Sequence, residues 1–185
     1  EQLNSGQLYS LGIHPWYIHE VEQQLAELSI EALKEQVIAI GECGLDKVKG
    51  ADFALQQLVF KAQIAIANHL QKPLIIHCVK AYDETLSILQ TAKVPVIFHG
   101  FNKNIHIAER ILKQGCYLSF GGALLSSQSL ASVFAAVSLE QIFLETDDAD
   151  VAIKDIYKQA AALKNLNEAD LVSELYNNYI TIFRQ

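Results

Sequence analysis

The chain has 185 residues, a formal net charge of −7 at pH 7 and a hydrophobic fraction of 51%. This length can bury one substantial core, and the negative charge argues against a broad basic surface that grips duplex nucleic acid. No apolar run approaches the about 20 residues that a membrane-spanning helix needs. The three cysteines include no C-x-x-C pair and give no disulfide framework, which favours the cytoplasm.

Short, β-branched apolar runs alternate with helical patterns along the chain. Buried parallel strands read as continuous apolar stretches, so these runs predict strands. The predicted helices are Val21–Gln36, Phe53–Leu70, Tyr82–Gln90, Ile105–Lys113, one ending at Val133, Ile153–Leu163 and Glu168–Phe183. Six strands that alternate with helices indicate a parallel α/β protein. We expect a single domain over residues 1–185.

Five of the predicted strands end on a residue that can bind a metal ion or move a proton. Leu11–Ile13 runs into His14, Val37–Gly41 into Glu42, Leu74–Ile76 into His77, Val96–Phe98 into His99, and Ile142–Thr146 into Asp147. A single buried histidine is usually a hydrogen-bonded structural residue. Polar groups at five equivalent positions instead favour a site assembled at one face of a sheet.

The number of these strand ends favours a closed barrel over an open sheet. Neighbouring strands lie about 4.8 Å apart, so six strands of an open sheet would spread their ends over roughly 24 Å. In a barrel the strand ends surround one mouth, where the active sites of such folds lie. A TIM-type (β/α)8 barrel takes about 250 residues. We therefore expect that its first one or two strands are missing from this chain.

Imidazole and carboxylate groups together suit divalent metal ions, and zinc, magnesium, manganese, iron and nickel all remain open. Two such ions that share a carboxylate would polarise a phosphoryl oxygen and generate hydroxide from bound water.

Four motifs resemble those of the TatD-type metal-dependent deoxyribonucleases, which are amidohydrolase-like TIM barrels. The segment Gly12–Pro15 resembles the family's Gly-x-His-Pro, Gly41–Asp46 its Gly-Glu-x-Gly-Leu-Asp, Pro73–His77 its Pro-hydrophobic-His, and Glu145–Asp147 its Glu-Thr-Asp. Their order and spacing agree over essentially the whole chain. The resemblance implies a hydrolase that uses divalent metal ions and acts on DNA or nucleotide phosphate.

The resemblance also implies a role for each strand-end residue. Glu42 would bridge two metal ions, with His77 and His99 as ligands of one of them. Asp147 would be a ligand of the other ion and would handle a proton of the attacking water, so the expected catalytic residues are Glu42 and Asp147. His14 would contact the phosphate of the substrate.

The sequence departs from the family pattern near the expected substrate and at one metal. The family opens with His-x-His, which nothing before Gly12 matches, and it carries an arginine where this chain has Val79. Its usual x-Phe-Ser-Gly is replaced by Gly100–Lys103, and its usual Ser-Pro by Asp148–Ala149. Two functions therefore stay open: hydrolysis of phosphodiester or phosphate-ester bonds, and a catalytically weakened or non-nuclease metal-binding role.

Neighbouring residues have more ordinary explanations. Asp46 is expected to cap a loop rather than to bind metal. Cys43 and Cys78 follow Glu42 and His77, and the alternation of a strand turns them away from the mouth into packing. The aromatic pair Trp16-Tyr17 would either stack a base or form a hydrophobic rim.

Overall fold

The computed structural model describes residues 6–183 and confirms the predicted α/β alternation. The strands are β1 (Tyr9–Leu11), β2 (Val37–Asp46), β3 (Leu74–Val79), β4 (Val96–Phe98), β5 (Tyr117–Phe120) and β6 (Ile142–Leu144). The helices are α1 (Val21–Glu31), α2 (Phe53–Leu70), α3 (Tyr82–Ile88), α4 (Ile105–Lys113), α5 (Gln128–Ala136), α6 (Ile153–Lys164) and α7 (Glu168–Phe183). No helix in this part of the chain is long and apolar enough to cross a bilayer.

The chain divides into two compact units, residues 1–97 and 98–185. In the first unit β1 pairs with β2 and β2 with β3, both in parallel. In the second unit β5 pairs with β6, also in parallel. Closure into a barrel and a single domain over residues 1–185 stay predictions.

The core of the first unit lies between β2, β3 and α2. Ile40 and Ile76 from the strands and Phe60 and Ile64 from the helix are almost completely buried. The helix begins after Asp52, whose carboxylate accepts the backbone N–H groups of two first-turn residues, as N-cap residues do. Its bounds, Phe53–Leu70, confirm the prediction from the apolar spacing.

Helix α2 also carries two buried glutamines that hold backbone from other parts of the unit. The amide of Gln63 accepts from the N–H of Ile13 at 2.7 Å and donates to the C=O of Ile13 at 3.0 Å. The amide of Gln56 accepts from the N–H of Asp46 at 2.8 Å and donates to its C=O at 3.0 Å. The two glutamines are two helical turns apart and therefore lie on one face.

Strand β2 does not end at Gly41, so the prediction that Glu42 stands at a strand end is wrong. The register pairs Ile40 with Leu74 and Cys43 with Ile76, which leaves one extra residue on β2 between these pairs. This is a β-bulge, and bulges re-aim a side chain without ending the strand. Glu42 is presented from the bulge.

The predicted end of β3 is also wrong, because β3 continues through His77 to Val79. His77 pairs with Gly44 of β2. A Cβ atom at Gly44 would lie 2.1 Å from the carbonyl oxygen of His77, and Gly44 has φ +140°. Only glycine allows this close approach and this backbone conformation, so Gly44 fixes the place of His77 in the strand.

The remaining strand ends agree with the prediction in part. His99 directly follows β4, as expected. Strand β1 ends at Leu11, before the predicted Leu11–Ile13 run is complete, and β6 ends at Leu144. His14 and Asp147 therefore lie in the loops that follow these strands.

The core of the second unit is aromatic. The ring of Phe120 on β5 lies 5.6 Å from Phe101 and 5.1 Å from Phe134, both edge to face, a favourable geometry for aromatic pairs. Helix α4 begins after Asn104, whose side chain accepts the N–H of Ile107 at 3.1 Å. This cap explains why the prediction Ile105–Lys113 is confirmed.

Replacing Gln63 with leucine tests the two hydrogen bonds between its side-chain amide and the backbone of Ile13. The variant leaves a buried N–H and C=O without their partner, so we expect the free energy of unfolding to fall by about 3 kcal/mol. Urea denaturation followed by circular dichroism measures the change. Gln57→Leu on the same helix is the control and should stay within about 0.5 kcal/mol of the parent. Equal stability of both variants would contradict a stabilising role for these two hydrogen bonds.

Candidate functional site

The first unit brings three of the predicted site residues together. His14, Glu42 and His77 each offer a ligand atom, and these atoms lie within 4.8 Å of one another. The Nε2 atom of His14 is 3.6 Å from Oε2 of Glu42, and the rings of His14 and His77 are 4.4 Å apart. His14 and Glu42 are half-buried and His77 is buried. Two imidazoles and a carboxylate form a donor set that fits a divalent transition metal.

The hydrogen bonds of His14 determine what its ring can do. Its Nδ1 accepts the backbone N–H of Trp16 at 3.2 Å, so the proton of the neutral ring is on Nε2. Nε2 is the atom that faces Glu42. A protonated ring nitrogen cannot ligate a metal ion but can donate to an oxygen anion.

Asp46 holds the ring of His77. Its Oδ2 lies 3.2 Å from Nε2 of His77 and accepts the indole N–H of Trp16 at 2.7 Å. Its Oδ1 accepts the backbone N–H groups of Val48 and Lys49 at 2.7 and 3.0 Å. These last two bonds confirm the predicted loop cap. The contact with His77 was not predicted.

The protonation state of Asp46 follows from these contacts. Burial raises the pKa of the carboxyl group, but hydrogen bonds from Trp16, Val48, His77 and Lys49 outweigh it and hold the pKa below its usual value. Asp46 is therefore a carboxylate at neutral pH and can only accept hydrogen bonds. His77 must donate from Nε2, which leaves its lone pair on Nδ1.

Trp16 and Tyr17 have different surroundings. The indole of Trp16 is fixed by Asp46, and the ammonium of Lys49 lies 3.7 Å from the centre of its ring. Tyr17 is 65% exposed. Tyr17 is thus the more accessible of the two for stacking, whereas Trp16 helps to fix the carboxylate that holds His77.

The two cysteines beside the site were both predicted to be packing residues, and they are buried to different extents. Cys43 is completely buried, and burial, with a smaller contribution from the charge of Glu42, raises the pKa of its thiol. The thiol therefore stays neutral, which is unfavourable for metal binding. Cys78 is half-buried, with its sulfur 3.4 Å from the hydroxyl oxygen of Thr85.

The second unit contains the other two predicted site residues. His99 and Asp147 offer ligand atoms within 4.8 Å of each other. Nδ1 of His99 lies 3.6 Å from Oε1 of Glu145. Glu145 is itself held in place, since its carboxylate accepts the N–H of Gly100 at 2.5 Å and the hydroxyl of Ser119.

A small pocket lies next to these residues. It has a volume of about 150 Å³ and is lined by residues 100–102, 121–123 and 145–149. Asp147 is exposed and has φ +51°, a left-handed conformation that is uncommon for residues other than glycine. We call this cavity the Asp147 pocket.

Sequence reasoning missed the contacts of two carboxylates with imidazoles, Asp46 with His77 and Glu145 with His99. Glu145 directly follows β6 and stands in the Glu-Thr-Asp motif, so its position was a usable signal. Asp46 also stands in a motif, Gly41–Asp46, but its contact with His77 depends on the pairing of β2 with β3, which the predicted end of β2 at Gly41 excluded.

Comparison with known proteins gives a consistent result. The model of the TatD-related DNase family matches residues 1–184. A protein from Buchnera aphidicola subsp. Baizongia pistaciae, named an uncharacterized metal-dependent hydrolase, is 31% identical over 97% of this chain and 75% of its own length. A protein from Klebsiella pneumoniae, named 3'-5' ssDNA/RNA exonuclease TatD, is 29% identical over 87% of this chain and 64% of its own length.

The fold has a counterpart among solved structures. The crystal structure of YJJV, a TatD homologue from Escherichia coli K12, superposes with a TM-score of 0.83 at 24% identity, covering 96% of this chain and 77% of that one. The family match extends over nearly the whole sequence, and the superposition shows that the fold is shared. The chain belongs to the TatD-related DNase family.

Proposed function

We propose that the chain is a metal-dependent hydrolase that cleaves phosphodiester or phosphate-ester bonds of DNA or nucleotides. The observation that carries the proposal is the cluster of His14, Glu42 and His77, which places two candidate metal ligands, Glu42 and His77, beside an imidazole that can donate to a phosphate oxygen. The name of the Klebsiella pneumoniae relative as an ssDNA/RNA exonuclease supports a nucleic-acid substrate.

The proposed metal ligands are Glu42, His77, His99 and Asp147. Glu42 has two carboxylate oxygens and is proposed to bridge two ions. The tautomer of His77 supports its role, because Asp46 accepts from Nε2 and the lone pair of the neutral ring is then on Nδ1. A bound divalent ion supplies a Lewis acid that polarises the phosphoryl group and lowers the pKa of a water molecule.

The remaining roles concern protons and the phosphate. Asp147 is an exposed carboxylate at the edge of the Asp147 pocket, where it can accept a proton from the attacking water. His14 is proposed to donate its Nε2–H to a phosphate oxygen. The bond between its Nδ1 and the N–H of Trp16 supports this role over metal ligation.

The alternative is a catalytically weakened or non-nuclease metal-binding relative, such as a barrel that hydrolyses a C–N bond. It is favoured by the replacement of the family's arginine by Val79 and by the added acid Asp148, since both disfavour an anionic substrate.

One or two further barrel strands, and the cytoplasm as the location, are also proposals. Activity towards bis(p-nitrophenyl) phosphate and single-stranded oligodeoxynucleotides, with each divalent metal in turn, separates the two functions.

Titration calorimetry with zinc or manganese tests the two histidine roles. We expect His77→Ala to weaken metal binding at least about tenfold, because it removes a ligand. His14→Ala should leave the metal affinity within about twofold of the parent, because its proton-bearing nitrogen is not a ligand. Binding by the parent should weaken below about pH 6, since imidazole must be neutral to ligate. Equal losses in both variants would overturn the division of roles.

Replacing Asp46 with asparagine tests the positioning of His77. The amide can present its N–H to the ring instead of an acceptor, so the preference for the Nε2–H tautomer of His77 should be lost. We expect metal affinity to fall about 10- to 100-fold, as for other carboxylates that hold metal-bound histidines. Nitrogen-15 NMR of the ring measures the tautomer without metal. An unchanged tautomer would contradict the assignment.

Replacing Asp147 with asparagine tests catalysis. The change removes the proton acceptor, so we expect turnover of bis(p-nitrophenyl) phosphate to fall at least about 100-fold with metal present. The melting temperature should change little, because Asp147 is exposed and lies beyond β6. Asp150→Asn, an exposed acid three residues away, is the control. Full turnover by the Asp147→Asn protein would exclude Asp147 from catalysis.

A further inference from the structure

A larger groove lies in the second unit between the start of α4 and one side of α5. Its volume is about 550 Å³, and its walls include Lys103, Asn104, Ser129, Ser132 and Val133. We call it the α4–α5 groove. Its volume falls within the roughly 300–1,000 Å³ of small-molecule sites. The Asp147 pocket, at about 150 Å³, is below that range, and its three carboxylates would accept a phosphate group only with the proposed metal ions bound.

Asn102 is common to the linings of the two cavities. It lines the α4–α5 groove and also the Asp147 pocket. The two cavities are therefore adjacent, so that a ligand held at the Asp147 pocket and extending past Asn102 would reach the α4–α5 groove. The proposed site thus continues into a space that the metal-binding residues do not use.

The groove combines groups that suit a nucleotide. Lys103 is exposed and supplies a cation for a phosphate. Asn104 uses its carbonyl oxygen to cap α4, and its amide –NH2 can donate. Leu130 and Val133 are buried side chains that also line the groove, and they give an apolar surface for a base. Single-stranded nucleic acid is bound by grooves that combine positive groups with aromatic surfaces for the bases, and in this groove aliphatic side chains supply the apolar surface.

Lys103 distinguishes this chain from the family pattern. It stands in Gly100–Lys103, where the family pattern ends in glycine. Glycine has no side chain and could not supply a charge. The groove therefore gains its cation from a position at which this sequence departs from its family.

We propose that the α4–α5 groove is a nucleotide subsite, which holds the unit of a single-stranded substrate next to the one whose phosphate is cleaved. Lys103 binds the phosphate of that unit, and the apolar wall contacts its base. The inference rests on the proposed function, because it names the substrate of the same site as an oligonucleotide rather than a small phosphate ester.

The test is binding of a fluorescein-labelled tetrathymidylate to the full chain, measured by fluorescence anisotropy in EDTA so that no cleavage occurs. We expect Lys103→Gln to raise the Kd about fivefold and to lower the slope of log K against log salt concentration by about 0.7, the value for one lost phosphate contact on a single strand. Ser132→Trp, which places an indole in the groove from an exposed position, should raise the Kd further. Lys113→Gln removes the same charge from the exposed end of α4 and should change neither quantity.

The outcomes separate this inference from the proposed function. Parent-like binding by both Lys103→Gln and Ser132→Trp, with folding confirmed by circular dichroism, would overturn the subsite. So would equal losses in Lys103→Gln and Lys113→Gln, which would indicate a general charge effect. Failure of the parent to hydrolyse bis(p-nitrophenyl) phosphate with any divalent metal would instead count against the proposed function, and the binding result would still decide whether the groove holds a nucleotide.

Discussion

The first unit depends on one interaction, the paired hydrogen bonds between two buried glutamines of α2 and the backbone of the site. Gln63 binds both the N–H and the C=O of Ile13, and Gln56 does the same for Asp46. Because His14 follows Ile13 directly, and Asp46 holds His77, one helix sets the position of both imidazoles. Buried polar groups are costly unless paired, so the arrangement tolerates little movement.

The β-bulge in β2 adds a second constraint. The extra residue at Gly41–Glu42 allows the strand to continue to Asp46 while Glu42 faces the site. A strand that ended at Gly41 would still present Glu42, but Asp46 would then lie in a loop without the pairing that carries it beside His77. Gly44 completes the arrangement, because a side chain there would collide with the backbone of His77. The spacing of the motif from Gly41 to Asp46 thus reflects backbone geometry as well as chemistry.

The sequence was sufficient for features that depend on local signals. The bounds of α2 and α4 were predicted correctly from the local sequence pattern, and the structure shows that the side chains of Asp52 and Asn104 cap the starts of these helices. The continuation of β2 was missed because the bulge depends on pairing with β3, some 30 residues away in the chain. The hydrogen bonds of the two glutamines were missed for the same reason. The sequence pattern identifies Gln63 only as a residue of a helix, and its partner Ile13 is 50 residues distant. The sequence identified the residue types of the candidate site, but it did not identify the groups that fix their orientation.

Both units hold an imidazole with a carboxylate that is itself fixed by other donors. In the first unit Asp46 contacts Nε2 of His77, and in the second Glu145 contacts Nδ1 of His99. The two contacts therefore involve opposite ring nitrogens, Nε2 of His77 and Nδ1 of His99. A carboxylate partner also makes the ring a stronger base and a better ligand. Asp46, fixed by the indole N–H of Trp16 and two backbone N–H groups, thus orients the ring of His77. Glu145, fixed by Gly100 and Ser119, lies beside the ring of His99, so in each unit a carboxylate held by other donors lies against an imidazole.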